Sequence, residues 1–396
     1  MRITPASELT ARFRKLQALM VPAGFDAVLI LQNADLFYFT GSIQQGLLYI
    51  PAAGDPLYLV RKDLGRARME CGLKEIVGFS SPRDLAGILG DFGYPLPGKA
   101  GMELDVVPVT LFNRFQAVLP HCSFGDASPL IRSVRAVKSS YELEIMKDAA
   151  LQAEKVYQRA REVIRVGKTD LELAAELEFC ARKDGHQGLT RMRGFNSELF
   201  YGHIFSGTDS AAPAFLDAPL GGIGVNPSIG QGASYKRIEK FEPITVDMVY
   251  TFDGYLVDQT RMFCIGGLPE KLRKAYDDML KVEEFLKSIA RPGIPWGALY
   301  EDCYRLAVDL GYKDHFMGAS GAQVSFIGHG IGVEVDEYPF IARGFKDLVL
   351  EENMTFAFEP KAVFPELGAV GIENTFWVGR DGLKHLTFSS EELVVL

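Results

Sequence analysis

The chain has 396 residues, 47% of them hydrophobic and 23% charged, with a formal net charge of −9. That is enough sequence for about two domains with good cores. The acidic balance, with no Lys/Arg block, argues against nucleic acid or an anionic membrane surface as partner. Cys71, Cys122, Cys180, Cys264 and Cys303 are scattered without C-x-x-C spacing, which argues for a reducing cytoplasm and against a disulfide frame or a thiolate zinc site. The opening MRITPASELTARFRKL is polar, unlike a signal peptide, and no apolar run approaches the ~18–20 residues of a membrane span.

In chain order, Leu9, Phe13, Leu16 and Met20 recur at helical spacing within residues 8–20, and Ala27 to Leu31 reads as a buried strand. Residues 47–50 and 57–60 are further strand candidates around the turn-like Pro51 to Pro56. The pattern then predicts a helix over 82–89, a strand over 101–104 and a helix over 109–118. Such alternation predicts a small α/β domain with a mixed sheet, placed over residues 1–132.

Residues 133–396 form the expected second domain. Ser139 with Glu142 is a capping box, and Ile145, Ala149, Ala153, Val156, Ala160 and Val163 follow at helical spacing. Thr169 with Glu172 starts a second helix, which ends near Asp184-Gly185. A third helix runs from Pro269 to about Ala290, and a fourth from Trp296 to Leu310, ended by Gly311. Strand pairs lie between and after them, so helices backing a curved antiparallel sheet, an α+β layout, are expected. The run Pro219 to Gly224 is a candidate mobile loop bordering the site.

The stretch Ile244 to Phe263 carries the chemistry. Two β-branched and aromatic runs flank Asp253-Gly254, a strong hairpin signal. A two-residue loop would set Phe252 against Tyr255 and Val249 against Asp258. Asp247 and Asp258 then become diagonal neighbours on one face, roughly 7–8 Å apart at the backbone. Two ionised carboxylates aimed at one spot require a proton or a cation between them; the alternative is that one faces solvent at the turn end. Downstream, His329 sits in Gly-His-Gly-Ile-Gly, and Glu359 and Glu373 each close an apolar, strand-like run.

This order of Asp, Asp, His in a Gly-His-Gly-Ile-Gly loop, Glu-Pro, then Ile-Glu resembles the M24-type pita-bread metallopeptidases, which include Xaa-Pro aminopeptidase, prolidase and methionine aminopeptidase. The likeness extends to Arg135-Ala-Val-Lys138 and to Asp258-Gln-Thr260-Arg261 and covers essentially the whole chain. It implies a pita-bread catalytic domain preceded by a creatinase-like N-terminal domain, and a homodimer. It makes Asp247, Asp258, His329, Glu359 and Glu373 the ligands of two divalent ions, for which the oxygen-rich set suits Mn²⁺, Co²⁺, Fe²⁺ or Zn²⁺. In that scheme Asp258 and Glu373 bridge, Asp247 binds one ion, and His329 with Glu359 binds the other. The implied activity is hydrolysis of an N-terminal peptide bond through a metal-bridging hydroxide, with Glu359 taking a proton.

The chain departs from the family where substrate should bind. A second His is expected in a His-Glu-x-Pro run, but the residue is Asp336; another is expected after the Ser-Gly strand, where Ala214 stands. Lys361 follows Glu359-Pro360 where glycine is usual, which places an ammonium near the site. The expected catalytic residues are thus Glu359, His329 and Asp336, and His203 and Arg261 the substrate contacts. Asp336 either binds a cationic substrate group or is turned away in a salt bridge. Two readings of function follow: a cytoplasmic Xaa-Pro aminopeptidase or dipeptidase acting on small peptides, or a pita-bread non-peptidase, a C–N hydrolase or lyase acting on a small-molecule amide or related substrate. A third is a non-catalytic binding protein.

Overall fold

The stripe formed by Leu9, Phe13, Leu16 and Met20 is buried on α1 (Ala6–Ala23), which the left-handed Gly24 terminates at φ 70° by donating back to Met20 and Val21. The computed structural model describes residues 2–199, 201–319 and 321–396. They form two compact units, Met1–Arg135 with Arg193–Asn196, and Ala136–Met192 with Ser197–Leu396.

In the first unit, α1 is followed by β1 (Ala27–Ile30), α2 (Asn33–Thr40), β2 (Gly46–Pro51), β3 (Leu57–Val60), α3 (Leu64–Glu70), β4 (Glu75–Gly78), α4 (Leu85–Asp91), β5 (Lys99–Met102), α5 (Val109–Val118), β6 (Ser123–Asp126) and α6 (Ser128–Ala136). The strands make a mixed sheet in the order β4-β3-β2-β1-β5-β6, antiparallel only at β1–β2 and β2–β3. The strand expected over 101–104 lies two residues earlier. Its parallel pairing with β1 stops at Leu29↔Met102, and the next residue, Glu103, turns its carboxylate onto the amides of Leu31 and Gln32. Helix α2 was not foreseen. It buries Ala34, Asp35, Leu36, Tyr38, Phe39 and Thr40, so it shows no one-sided apolar stripe.

The second unit opens with α7 (Ser140–Val163) and α8 (Asp170–Lys183), each with both hydrogen bonds of its capping box formed. There follow β7 (Gly202–Ser206), β8 (Ile244–Phe252), β9 (Tyr255–Cys264), α9 (Glu270–Ile289), α10 (Trp296–Asp309), β10 (Phe326–Ile331), β11 (Val335–Ala342), β12 (Thr355–Phe358), β13 (Lys361–Phe364), β14 (Gly368–Gly371), β15 (Asn374–Gly379), β16 (Gly382–His385) and β17 (Val394–Val395). The expected single sheet is two, β17-β9-β8-β7 and β11-β10-β12-β15-β16, with β13-β14 a separate pair. An antiparallel bridge at Thr260↔Glu373 joins the first sheet to the start of β15. Met279, Val282 and Leu286 of α9 and Leu299 of α10 share one buried cluster with Phe356 and Phe376 of the larger sheet. The helices therefore cover the sheets on one side, and the acidic residues occupy the other.

The Pro219 to Gly224 run is not an open loop. Leu220 is buried, the Gly221 amide donates to Ala212, and a Cβ at Gly221 would fall 2.5 Å from the Ala214 backbone. Only glycine fits so close an approach.

Candidate metal centre

Asp253 and Gly254 both take positive φ, 46° and 87°, the geometry of a two-residue turn matched to the twist of its strands. The register is the one the turn dictates, with Phe252↔Tyr255, Val249↔Asp258 and Asp247↔Thr260. On the other edge of β8, His203 pairs with Asp247. Side chains alternate along strands, so His203, Asp247, Thr260, Val249 and Asp258 share one face.

The remaining groups arrive from the larger sheet. His329 lies on β10 between Gly328 and Gly330, where a Cβ would meet the Ala357 carbonyl oxygen at 2.5 Å and the Tyr338 carbonyl oxygen at 2.3 Å. These glycines allow β10 to pass between β11 and β12, which sets the imidazole over the acidic face. Its Nδ1 faces the Gly330 carbonyl at 3.3 Å and Asp336 Oδ1 at 3.8 Å. Its Nε2 faces Asp258 Oδ2 at 3.9 Å, and Glu359 Oε1 and Glu373 Oε1 at 3.8 Å each. A carbonyl accepting from Nδ1–H leaves the Nε2 lone pair directed at the carboxylates.

Thr260 Oγ1 donates to Glu373 Oε2 at 2.8 Å, and the Thr375 hydroxyl bonds both the amide and the carbonyl of Asp258 at 2.8 Å. The two sheets are thereby tied together at Asp258 and Glu373. Lys138 Nζ pairs with Glu337 Oε2 at 3.0 Å, while Glu337 Oε1 accepts from the amides of Val333 and Glu334. That buried pair holds the turn between His329 and Asp336 and explains the lysine of the Arg-Ala-Val-Lys motif.

Crowding and burial oppose ionisation here. Burial, then Glu373, pushes the Asp258 carboxyl well above the usual range, and burial raises Asp247 to about 7 and Glu359 to about 8. Burial also works against ionised Glu373, yet the Lys361 ammonium and His329 hold it down at about 2. Burial alone would favour neutral His329, but the facing Glu373, Asp336, Glu359 and Asp258 raise it to about 10. A divalent ion answers this imbalance. The donor atoms of Asp258, His329 and Glu373 lie within 4.8 Å of one another, and Asp258 Oδ1 is buried without a hydrogen-bond partner. Two carboxylates and an imidazole nitrogen, with Glu359 Oε1 3.8 Å from the same nitrogen, are a donor set that suits a catalytic transition metal.

The model of metallopeptidase family M24 matches residues 144–380, and that of the creatinase/prolidase N-terminal domain matches residues 12–137. The chain belongs to metallopeptidase family M24. It is 29% identical to the Xaa-Pro dipeptidase of Pyrococcus furiosus over 385 residues, covering 97% of this chain and 99% of that one. Among solved structures it is similar to the prolidase of Pyrococcus horikoshii OT3, with a TM-score of 0.81, 26% identity and coverage of 97% and 100% of the two chains. The fold is also that of the Xaa-Pro dipeptidase from Bacillus anthracis, with a TM-score of 0.83 at 24% identity and coverage of 98% and 100%. An α+β pita-bread fold with a creatinase-like N-terminal domain follows.

Within this M24 centre the substrate contacts differ from expectation. Arg261 does not line the cleft. One residue past Thr260, it points to the opposite face, where its guanidinium is used on the carbonyls of Ser389 and Glu373 and on Asn374 Oδ1. Arg193, within the first unit, pairs with Asp35 and Asp105 of that same unit. His203 and Asp336 do line the cleft, with Asp217, Met192, Leu199 and Phe326. Asp217 was not foreseen; nothing in its local sequence marks it. Among the described residues that line the cleft there is no Arg or Lys.

His203 is buried, its Nε2 has no hydrogen-bond partner, and burial holds its pKa down to about 4 from the ordinary 6.5. The imidazole is therefore neutral at working pH. Below about 6.5 the unfolded chain takes up a proton that the folded His203 refuses, so the stability it contributes is complete above 6.5 and is lost as pH falls towards 4. Over that range metal-free wild type should lose up to about 3 kcal/mol more than His203→Gln; equal pH slopes in denaturant titrations would contradict this.

Proposed function

We propose that this chain is a metal-dependent peptidase of Xaa-Pro type, removing the N-terminal residue of peptides longer than a dipeptide, with the chemistry confined to residues 133–396. The observation that carries it is the convergence of Asp258, Glu359 and Glu373 on His329 Nε2, in a chain of family M24. Bound there, an ion supplies a Lewis acid for the scissile carbonyl and a water that loses its proton near neutral pH.

The side chains divide the remaining work. Glu359, which lines the cleft with Oε1 3.8 Å from His329 Nε2, is placed to accept the nucleophile's proton and pass it to the leaving nitrogen. Neutral His203, with its unpartnered Nε2 in the cleft, is the available donor to the carbonyl oxygen, in place of the histidines replaced by Asp336 and Ala214. Asp336 and Asp217 make the cleft acidic, which favours a substrate ammonium and disfavours a nearby terminal carboxylate. Mn²⁺ is the ion we assign. The dispersed free cysteines support a reducing cytoplasm.

The test compares a free Xaa-Pro dipeptide with its C-terminal amide, using protein stripped by chelator and restored with Mn²⁺. With no cation to meet a carboxylate, the amide should be favoured in kcat/KM by about 10-fold or more, and stripped protein should be inactive. Preferred turnover of the free dipeptide would overturn the length preference. Undiminished activity in the stripped protein would overturn the metal reading.

A further inference from the structure

Glu359 and Glu373 each present their two oxygens in opposite directions. The Oε1 atoms stand 3.8 Å from His329 Nε2, whereas the Oε2 atoms stand 3.2 and 3.1 Å from Lys361 Nζ. Asp258 closes the imidazole side at 3.9 Å, and Asp247 closes the ammonium side at 4.0 Å. The result is two adjacent cation positions that share two carboxylates, each completed by one aspartate. One of these positions already contains a cation that is covalently part of the chain.

The surrounding backbone is built for that lysine. Lys361 is 1% exposed and begins β13, paired with Gly371 of β14. A Cβ at Gly371 would fall 2.9 Å from Lys361 Cδ, so the lysine stem runs over the gap that glycine leaves. A divalent ion on this side would have to bind the same oxygens at about 2.0–2.3 Å and so sit against the ammonium. Charge leads to the same conclusion. Against the carboxylates of Asp247, Asp258, Glu359 and Glu373, one divalent ion together with Lys361 leaves a small negative residue. A second ion would reverse its sign.

We infer that this centre holds one divalent ion, among Asp258, His329, Glu359 and Glu373, and that the Lys361 ammonium occupies the position of a second, with Asp247 as its counter-ion and not a metal ligand. This rests on the metal reading above and departs from the two-ion centre that the family resemblance implies. Glu359 and Glu373 then keep their bridging arrangement with a single exchangeable cation.

The test counts ions. Wild type, Lys361→Gly and Lys361→Ala are equilibrated with excess Mn²⁺, freed of unbound metal, and assayed by elemental analysis and electron paramagnetic resonance. Wild type should retain about one ion per chain with the spectrum of an isolated Mn²⁺, and the variants about two with the spectrum of an exchange-coupled pair. Two ions or a coupled spectrum in wild type overturns the inference, as does a single ion in folded Lys361→Gly and Lys361→Ala. If neither variant folds, the wild-type count and spectrum decide alone. Absence of any ion in wild type overturns the metal reading as well, whereas one ion without peptide hydrolysis sinks only the peptidase assignment and leaves the inference supported.

Discussion

Glu373→Ala should lose its metal and fall in kcat/KM by on the order of 10³-fold or more. Glu373 Oε1 faces His329 Nε2, Oε2 accepts from Thr260 Oγ1 at 2.8 Å and from Lys361 Nζ at 3.1 Å, and the residue bridges to β9. Removing it deletes a donor to the ion and also frees the ammonium to swing toward the remaining carboxylates. Glu373→Gln keeps the shape and one acceptor oxygen but carries no charge, so it should also fail to hold the ion. Asp247→Asn should keep it, because Asp247 faces Lys361 and not His329. Elemental analysis beside steady-state kinetics checks all three. A metal-replete Glu373→Ala protein would show that the ion sits elsewhere.

Asp336→His should raise turnover of an Xaa-Pro dipeptide by tenfold or more. Asp336 lines the cleft, its Oδ1 lies 3.8 Å from His329 Nδ1, and it holds φ 65°. An ionised carboxylate accepts hydrogen bonds only, and it adds negative charge where the carbonyl oxygen becomes negative. Supplying one missing donor at such a place is typically worth about 10²–10³ in rate. Histidine is among the few side chains that tolerate positive φ, and His329 keeps its Gly330 contact. The gain should be larger for the free dipeptide than for its amide, since one negative charge has left the cleft. If every peptide activity is lost instead while the metal stays bound, Asp336 is the anchor for the substrate ammonium.

Much of the site was legible because it depends on short-range rules. Asp253-Gly254 prescribes its turn, the turn prescribes the register, and alternation puts Asp247 and Asp258 on one face. The same alternation places Arg261, adjacent to Thr260, on the opposite side, where it binds the Ser389 carbonyl and not the cleft. Ser139 with Glu142 and Thr169 with Glu172 marked their helix starts because the capping partners are three residues apart and interact with no help from the rest of the fold. Helix α2 was hidden for the converse reason: neighbours bury nearly all of it, and a helix apolar on every side has no period to detect.

What only the tertiary structure decided is the direction of each long side chain. The sequence determined that an ammonium follows Glu359-Pro360, but whether it pointed to solvent or among carboxylates depended on β14 presenting Gly371 beside it. It also determined a lysine before the capping box, while its use in holding the His329–Asp336 turn required Glu337, nearly two hundred positions away, to arrive alongside. Local propensity governs a backbone over a few residues. The end of a lysine, arginine or glutamate side chain goes where distant charges and space allow, and only the packed sheets bring those together.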